Sequence, residues 1–191
     1  ETTDRLSYEN DVDITYRANY KEEDFDKSSS YKLNTFSTGA GISYNIINRL
    51  RHNLKIDYVI KDYQITNSST VASAINNSSG ENISYVLTNN LFYNTVKSLY
   101  LPKDGTIIKF DNSIETPTSS SNGYLKNILT IKNYKKIDKN IFSNQTRVGN
   151  IISLNDNDIL TDDKFSLGGR WLRGFDTFGA GPRNSRTSYV G

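Results

Sequence analysis

Hydrophobic and polar residues alternate along most of this chain with a period of two. In residues 11–21, Val12, Ile14 and Tyr16 share one face, whereas Asp13 and Arg17 lie on the other. Such alternation is typical of a β-strand with one apolar and one polar face. It recurs in six further segments, which are residues 32–46, 51–66, 81–96, 106–116, 123–135 and 140–154. The sequence therefore predicts an all-β fold of about seven long antiparallel strands, with negligible helix.

The predicted connections alternate between short turns and longer polar loops. The turns are residues 47–50, 97–105 and 136–139, and the loops are residues 22–30, 67–80, 117–121 and 155 onward. In an up-and-down meander, this places every turn at one end of the sheet and every loop at the other, as in outer-membrane barrels. The strands also exceed the roughly five to six residues usual in soluble sheets. We expect one partial barrel domain over residues 1–191, with strands in 11–154 and a final loop in 155–191; a soluble β-sandwich or lipocalin-like barrel stays open.

Composition narrows the choice of function class. The hydrophobic fraction of 35% and mean hydropathy of −0.61 still allow a barrel, because its strands show only alternate residues to lipid. A net charge of +2 gives no strong case for a nucleic-acid partner. The absence of cysteine excludes disulfides and thiolate metal sites. The first residue is not methionine, so we expect a processed product or a fragment.

The segment 164–189 breaks the strand pattern. It holds the only tryptophan, Trp171, and five of the twelve glycines. At its centre, Arg173 and Gly174 stand between the bulky apolar residues Leu172 and Phe175. The indole of Trp171 is expected either within this loop or at a membrane interface.

This segment resembles the sixth external loop of the BamA family, the core of the outer-membrane β-barrel assembly machinery. The family's hallmark is an aliphatic-Arg-Gly-Phe tetrapeptide, which Leu172, Arg173, Gly174 and Phe175 match. A glycine pair upstream and a Gly-Pro downstream also fit the family, and the glycines concerned are Gly168, Gly169 and Gly181. The pair predicts either a sharp bend before the motif or a flexible loop.

A second stretch carries the same resemblance. Residues 100–105, which include Pro102, Asp104 and Gly105, are similar to the family's aromatic-x-Pro-x-Asp-Gly periplasmic turn. Asp-Gly after a proline is also a strong turn signal in its own right. On this alignment the seven strands correspond to the fifth through eleventh of a sixteen-stranded transmembrane barrel.

The resemblance implies a function in protein insertion at the bacterial cell outer membrane. Its partners would be the lipid bilayer, unfolded β-barrel clients, and periplasmic and lipoprotein accessory subunits, with no nucleic acid. It also implies that the loop folds into the lumen, where Arg173 meets an acidic and aromatic site on later strands. Related barrels of the two-partner-secretion type translocate proteins and carry a similar loop, so that alternative stays open, as does a passive porin.

Other residues offer little chemistry. The acidic stretch with Asp156, Asp158, Asp162 and Asp163 lacks the calcium-loop spacing, and we expect an acidic external loop. His52, the only histidine, lies beside a predicted turn without a nucleophile pattern nearby. We therefore expect no catalytic residue, no metal, no cofactor and no enzymatic activity.

Overall fold

The chain folds into one antiparallel sheet whose strands follow each other in sequence order. The computed structural model describes residues 2–6, 12–71, 73–118, 123–155, 159–160, 162–169, 171–176 and 179–181. The eight strands are β1 (Thr2–Leu6), β2 (Val12–Asp24), β3 (Tyr31–Ile47), β4 (Leu50–Ile65), β5 (Gly80–Asn94), β6 (Gly105–Glu115), β7 (Tyr124–Ile137) and β8 (Asn140–Ser153). Two short helices, α1 (Asp26–Ser29) and α2 (Ser73–Asn77), lie in the connections.

The seven predicted strands are confirmed as β2 to β8, and every boundary lies within three residues of its prediction. The eighth, β1, was not predicted, because residues 2–6 hold a single strongly apolar residue and show no alternation. This strand joins the sheet by pairing Thr2 to Leu6 with Tyr16 to Val12 of β2. Backbone pairing of this kind leaves no signal in the hydrophobic pattern.

The sheet is open in the part of the chain that the structure describes. Strands β1 and β8 form its two edges, and no second sheet packs against it there. The soluble sandwich is therefore wrong, and the all-β meander of an incomplete barrel is confirmed. Neither described helix is long and apolar enough to cross a bilayer.

The two ends of the sheet differ, as the sequence predicted. At the turn end, two-residue turns at 48–49 and 138–139 and the segment 95–104 join the strands. At the loop end lie the described residues of the longer connections 25–30, 66–79 and 116–123, and of the final loop where the structure describes it.

The two faces of the sheet also differ in polarity, and the arrangement is the reverse of that found in soluble proteins. The outer face carries large apolar side chains that are exposed, such as Ile56 (56%) and Val148 (63%). The inner face carries buried charged side chains, such as Asp57 (2%) and Glu115 (2%). Barrel strands in a membrane show this arrangement, because lipid covers the apolar side chains and the polar ones point into the lumen.

The apolar core is small and lies at the loop end of the inner face. Tyr31 and Leu33 of β3 and Tyr63 of β4 form its floor. Val71 and Ile75 reach it from the connection between β4 and β5, and Leu160 reaches it from the final loop. Two loops therefore fold inward over the same part of the sheet.

Candidate functional site: the final loop and its anchor

The aliphatic-Arg-Gly-Phe segment forms the tip of a compact loop. An antiparallel bridge between Leu167 and Ala180 closes the neck. Above it, the amide of Gly169 donates to the carbonyl of Phe175 at 2.7 Å. At the tip, the amide of Phe175 donates to the carbonyl of Leu172 at 3.3 Å, so residues 172–175 form a β-turn with Arg173 and Gly174 at its corner.

Two of the predicted glycines are required by this geometry. Gly174 has φ of +91° at the third turn position, where a side chain would strain the backbone. At Gly168, with φ of +131°, a Cβ would lie 1.9 Å from the carbonyl oxygen of Asp176. The sharp bend predicted before the motif is therefore present, and Gly169 and Gly181 also have positive φ.

The turn displays its side chains rather than burying them. Leu172 and Phe175 are 39% and 50% exposed, and Arg173 is exposed as well. Within the described residues, Arg173 makes no hydrogen bond or ion pair. Its docking site in the resembling family lies on strands that follow the eleventh, so lumenal docking of Arg173 stays a prediction.

Two aromatic side chains place the loop against the inner face of β7 and β8. The guanidinium of Arg147 lies 4.3 Å from the ring centroid of Trp171. The ammonium of Lys126 lies 4.8 Å from that of Phe165. Gly149 makes room for this second ring, because a Cβ there would lie 2.5 Å from it. Trp171 therefore packs inside the loop–wall contact, not at a membrane interface.

The base of the loop is held by an ionic cluster around Lys61 of β4. The Lys61 ammonium donates to both carboxylate oxygens of Asp163, at 2.7 and 2.8 Å. It also lies 3.3 Å from a carboxylate oxygen of Asp162 and 3.8 Å from one of Glu115, on β6. We call Lys61, Glu115, Asp162 and Asp163 the Lys61 cluster.

Further hydrogen bonds fix the two loop aspartates. The phenol of Tyr63 donates to Asp162 at 2.8 Å. The ammonium of Lys126, on β7, donates to the backbone carbonyl of Asp163. Two strands, β4 and β7, thus hold two adjacent loop residues, and β6 contributes Glu115 to the same cluster.

The cluster holds more carboxylates than its single lysine balances. Its side chains are between 2% and 11% exposed, so solvent screens them little. Burial raises the pKa of Asp163 to about 7, and the adjacent Asp162 carboxylate acts in the same direction, against the ammonium of Lys61. A proton held at Asp163 would lower the net negative charge of the cluster.

This cluster was missed at the sequence level. The acidic stretch was expected to form an external loop, and its pattern did not indicate that Asp162 and Asp163 pair with the wall, while Asp156 and Asp158 lie outside the described residues. Alternation correctly put Lys61 on the polar face, but it gives no information on a partner 102 positions away. No group of residues suited to a metal ion occurs in the described part of the chain.

The inner face of β2 to β4 is braced by ion pairs that cross a strand of small residues. Arg17 of β2 donates to Asp57 of β4 through two nitrogens, one of them at 2.7 Å. Gly39 of β3 lies between them, in register with both. A Cβ at Gly39 would lie 2.3 Å from the Asp57 carboxylate, so the glycine allows the pair to form. Arg51 and Asp13 make a second pair of the same kind.

The predicted turn at residues 100–105 lies at the turn end of the sheet. Asp104 accepts a hydrogen bond from the amide of Lys136 at 3.4 Å and pairs with Lys135 at 3.4 Å. Gly105 has φ of +123° and begins β6 directly after Pro102, Lys103 and Asp104. This turn is therefore tied to the last residues of β7.

The only histidine, His52, lies on the outer face near the turn end. The Nδ1 atom of His52 lies 2.9 Å from the hydroxyl of Tyr44, and Nε2 lies 2.6 Å from Asn89 Oδ1. Its described partners are thus a phenol and an amide, which hold it in place.

The family comparison agrees with this architecture. The chain matches the Omp85 superfamily domain over residues 1–191. None of the curated proteins compared with the chain matches it. The match spans the open meander and the final loop together. The chain therefore belongs to the Omp85 superfamily, whose members are bacterial or organellar outer-membrane β-barrel proteins.

Proposed function

We propose that this chain is the central wall and sixth-loop region of a BamA-type factor that inserts and folds β-barrel proteins in the bacterial outer membrane. The observation that carries the proposal is the tip turn of Leu172, Arg173, Gly174 and Phe175, placed after the last of seven long strands in an Omp85 domain. The superfamily match fits protein insertion or translocation in general.

The proposed activity involves no chemical step and no cofactor. Client strands would be added by backbone pairing, as an extended segment adds to an exposed sheet edge. The Arg17–Asp57 and Arg51–Asp13 pairs would keep the wall rigid while clients assemble elsewhere on the barrel. The loop would present Arg173 to the opposite wall, where a guanidinium can bind a carboxylate and stack on an aromatic ring. Accessory periplasmic and lipoprotein subunits would deliver the clients.

The second candidate is a two-partner-secretion pore, because the Omp85 domain fits translocation equally well. A passive porin is third, since a simple pore gives no reason for the exposed Arg-Gly-Phe-type turn.

One reconstitution separates these functions. The full-length protein is placed in proteoliposomes with a urea-denatured β-barrel client, and with a soluble secreted partner in parallel. An assembly factor converts the client to a membrane-embedded, heat-modifiable form and leaves the partner outside. Partner protected inside the vesicles without client folding would support secretion. Sugar or ion flux with neither product would support a porin, and either of these outcomes would overturn the proposal.

A further inference from the structure

The final loop is attached to the wall at two separate places. The first is its base, which comprises residues 159–165, and the second is its tip, which comprises residues 167–180. The base lies in the Lys61 cluster and the apolar core, and the tip stacks Trp171 on Arg147. The Leu167–Ala180 bridge closes the tip on itself, so its shape does not depend on the base.

The base is anchored by residues that all belong to this chain. Lys61 and Tyr63 of β4 and Lys126 of β7 bind Asp162 and Asp163, while Glu115 of β6 lies 3.8 Å from the Lys61 ammonium. Leu160, 2% exposed, packs beside Tyr31 and Leu33 of β3. The anchor thus combines buried charge pairing with apolar packing over four strands, and Arg173 takes no part in it.

The hydrogen bonds of the buried Lys61 ammonium depend on the docked base. A buried ammonium without a hydrogen-bond acceptor is unfavourable. Undocking the base would remove Asp162 and Asp163, leaving Lys61 with Glu115 at 3.8 Å as its remaining partner in the cluster. The docked base is therefore the state in which the Lys61 ammonium has its hydrogen-bond acceptors, since 3.8 Å is too long for a hydrogen bond to Glu115.

We propose that Lys61 and Asp163 form a latch that fixes the base of the loop to the wall whether or not Arg173 is docked. The loop then has a fixed base and a separable tip, and binding or release of Arg173 moves the tip alone. Lys61 is a positioning residue in this scheme, because it holds the base from which the tip extends and does not contact Arg173. The latch is independent of the proposed assembly function and would hold equally in a secretion pore.

Hydrogen–deuterium exchange on the full-length protein in a bilayer tests the latch, with peptides that separate residues 159–165 from residues 168–176. Lys61→Gln should speed exchange in the base by at least about tenfold, and Asp163→Ala, which removes both oxygens that accept from Lys61, should speed it in the same direction. Arg173→Ala should speed exchange in the tip and leave the base unchanged.

The double variant Lys61→Asp with Asp163→Lys keeps the net charge of the cluster and should restore part of the protection of the base. Lys55→Gln, on the same face of the same strand, is the matched control and should change neither peptide.

Two results would overturn the latch. One is a base as protected in Lys61→Gln and Asp163→Ala as in the wild type. The other is release of base and tip together in Arg173→Ala. Heat-modifiable migration identifies variants whose barrel has folded, and Asp163 lies outside the strands, so Asp163→Ala carries the test if Lys61→Gln does not fold. Client assembly is measured separately on the same samples and reports on the proposed function. Failure of the latch can therefore be distinguished from failure of the proposed assembly function.

Discussion

Lys61 and Asp163 lie 102 positions apart in the chain, yet the ammonium of one donates to both carboxylate oxygens of the other at 2.7 and 2.8 Å. This contact ties the final loop to the fourth strand at the loop end of the sheet. It also explains how a glycine-rich segment stays against the inner face. The loop has an anchor of its own, apart from the motif at its tip.

The raised pKa of Asp163 makes docking of the base depend on pH. Burial and Asp162 raise this pKa from its ordinary 3.8 to about 7 in the docked loop. At a pH between 3.8 and about 7, Asp163 carries a proton in the docked loop and none in a released loop. The Asp163 carboxyl therefore favours docking at low pH, and this contribution is lost as the pH rises through about 7. The titratable groups that interact with Asp163 in the described part of the chain include Lys61, Glu115, Tyr31, Tyr63, Tyr124, Lys126 and Asp162.

Exchange in residues 159–165, corrected for its intrinsic pH dependence, should therefore be slower at about pH 6 than at about pH 8. Asp163→Asn should remove most of this difference, because the amide does not titrate. Equal or greater protection of the wild type at the higher pH would show that the cluster does not take up a proton.

Gly39 is predicted to be necessary for the brace between β2 and β4. In Gly39→Ala the new Cβ would lie 2.2 Å from the carbonyl oxygen of Ile56 and 2.3 Å from the carboxylate of Asp57. We expect a loss of about 1–3 kcal/mol in the free energy of unfolding, because overpacking forces the backbone or the Arg17–Asp57 pair to shift. Urea unfolding of the full-length barrel in lipid vesicles measures this.

Ser37→Ala is the matched control, since Ser37 occupies the same face of β3 two positions earlier. Its unfolding midpoint should stay close to that of the wild type. A Gly39→Ala barrel as stable as the control would mean that the brace tolerates a side chain between its partners.

Leu87 and Thr88 test which face of the sheet meets lipid. Leu87 lies on the outer face and is 38% exposed, and Thr88 is the next residue, on the inner face. Leu87→Lys should lower the free energy of unfolding in membranes by about 2–4 kcal/mol if it lies near the midplane. Thr88→Lys should cost much less, because the inner face is polar, and the opposite order would contradict the orientation of the sheet.

Gly174 should set the shape of the tip. Its φ of +91° disfavours any L side chain, although a Cβ there would meet no described atom within 4 Å. Gly174→Ala should therefore strain the turn by about 1–2 kcal/mol through the backbone alone. We expect faster exchange in residues 168–176 and unchanged exchange in the base.

Asp176→Ala, just beyond the turn, is the control for this change and should leave the tip protected. If Gly174→Ala had the same exchange as the wild type, the turn would not need a positive φ at this position.

The sequence predicted the strands better than the contacts between loops and wall. Period-two alternation locates β2 to β8 because each strand has one face in an apolar and one in a polar environment. The tip was located by Leu172 to Phe175, whose order is unusual enough to carry a family resemblance. The short β1 has no such pattern, since it is held by backbone pairing with β2.

The anchor could not be predicted for a physical reason. Lys61 and Asp163 are ordinary charged residues in a polar face and a polar loop, and only the folded chain brings them together. Val71 and Ile75 gave a similarly weak signal, because two apolar residues in a serine- and asparagine-rich connection do not reveal that it folds inward. Long-range contacts of this kind have no local pattern in one sequence.

The central claim is that Arg173 at the tip serves assembly of client barrels. The most direct measurement is the rate at which the reconstituted full-length protein converts a denatured client to its heat-modifiable form. Hydrogen bonds to a charged group contribute about 1.5–3 kcal/mol, so Arg173→Ala should slow this conversion by about 10- to 100-fold if docking of the tip is required. Lys139→Ala, in the exposed turn between β7 and β8, should assemble clients at the wild-type rate. Equal rates for Arg173→Ala, Lys139→Ala and the wild type would contradict the claim.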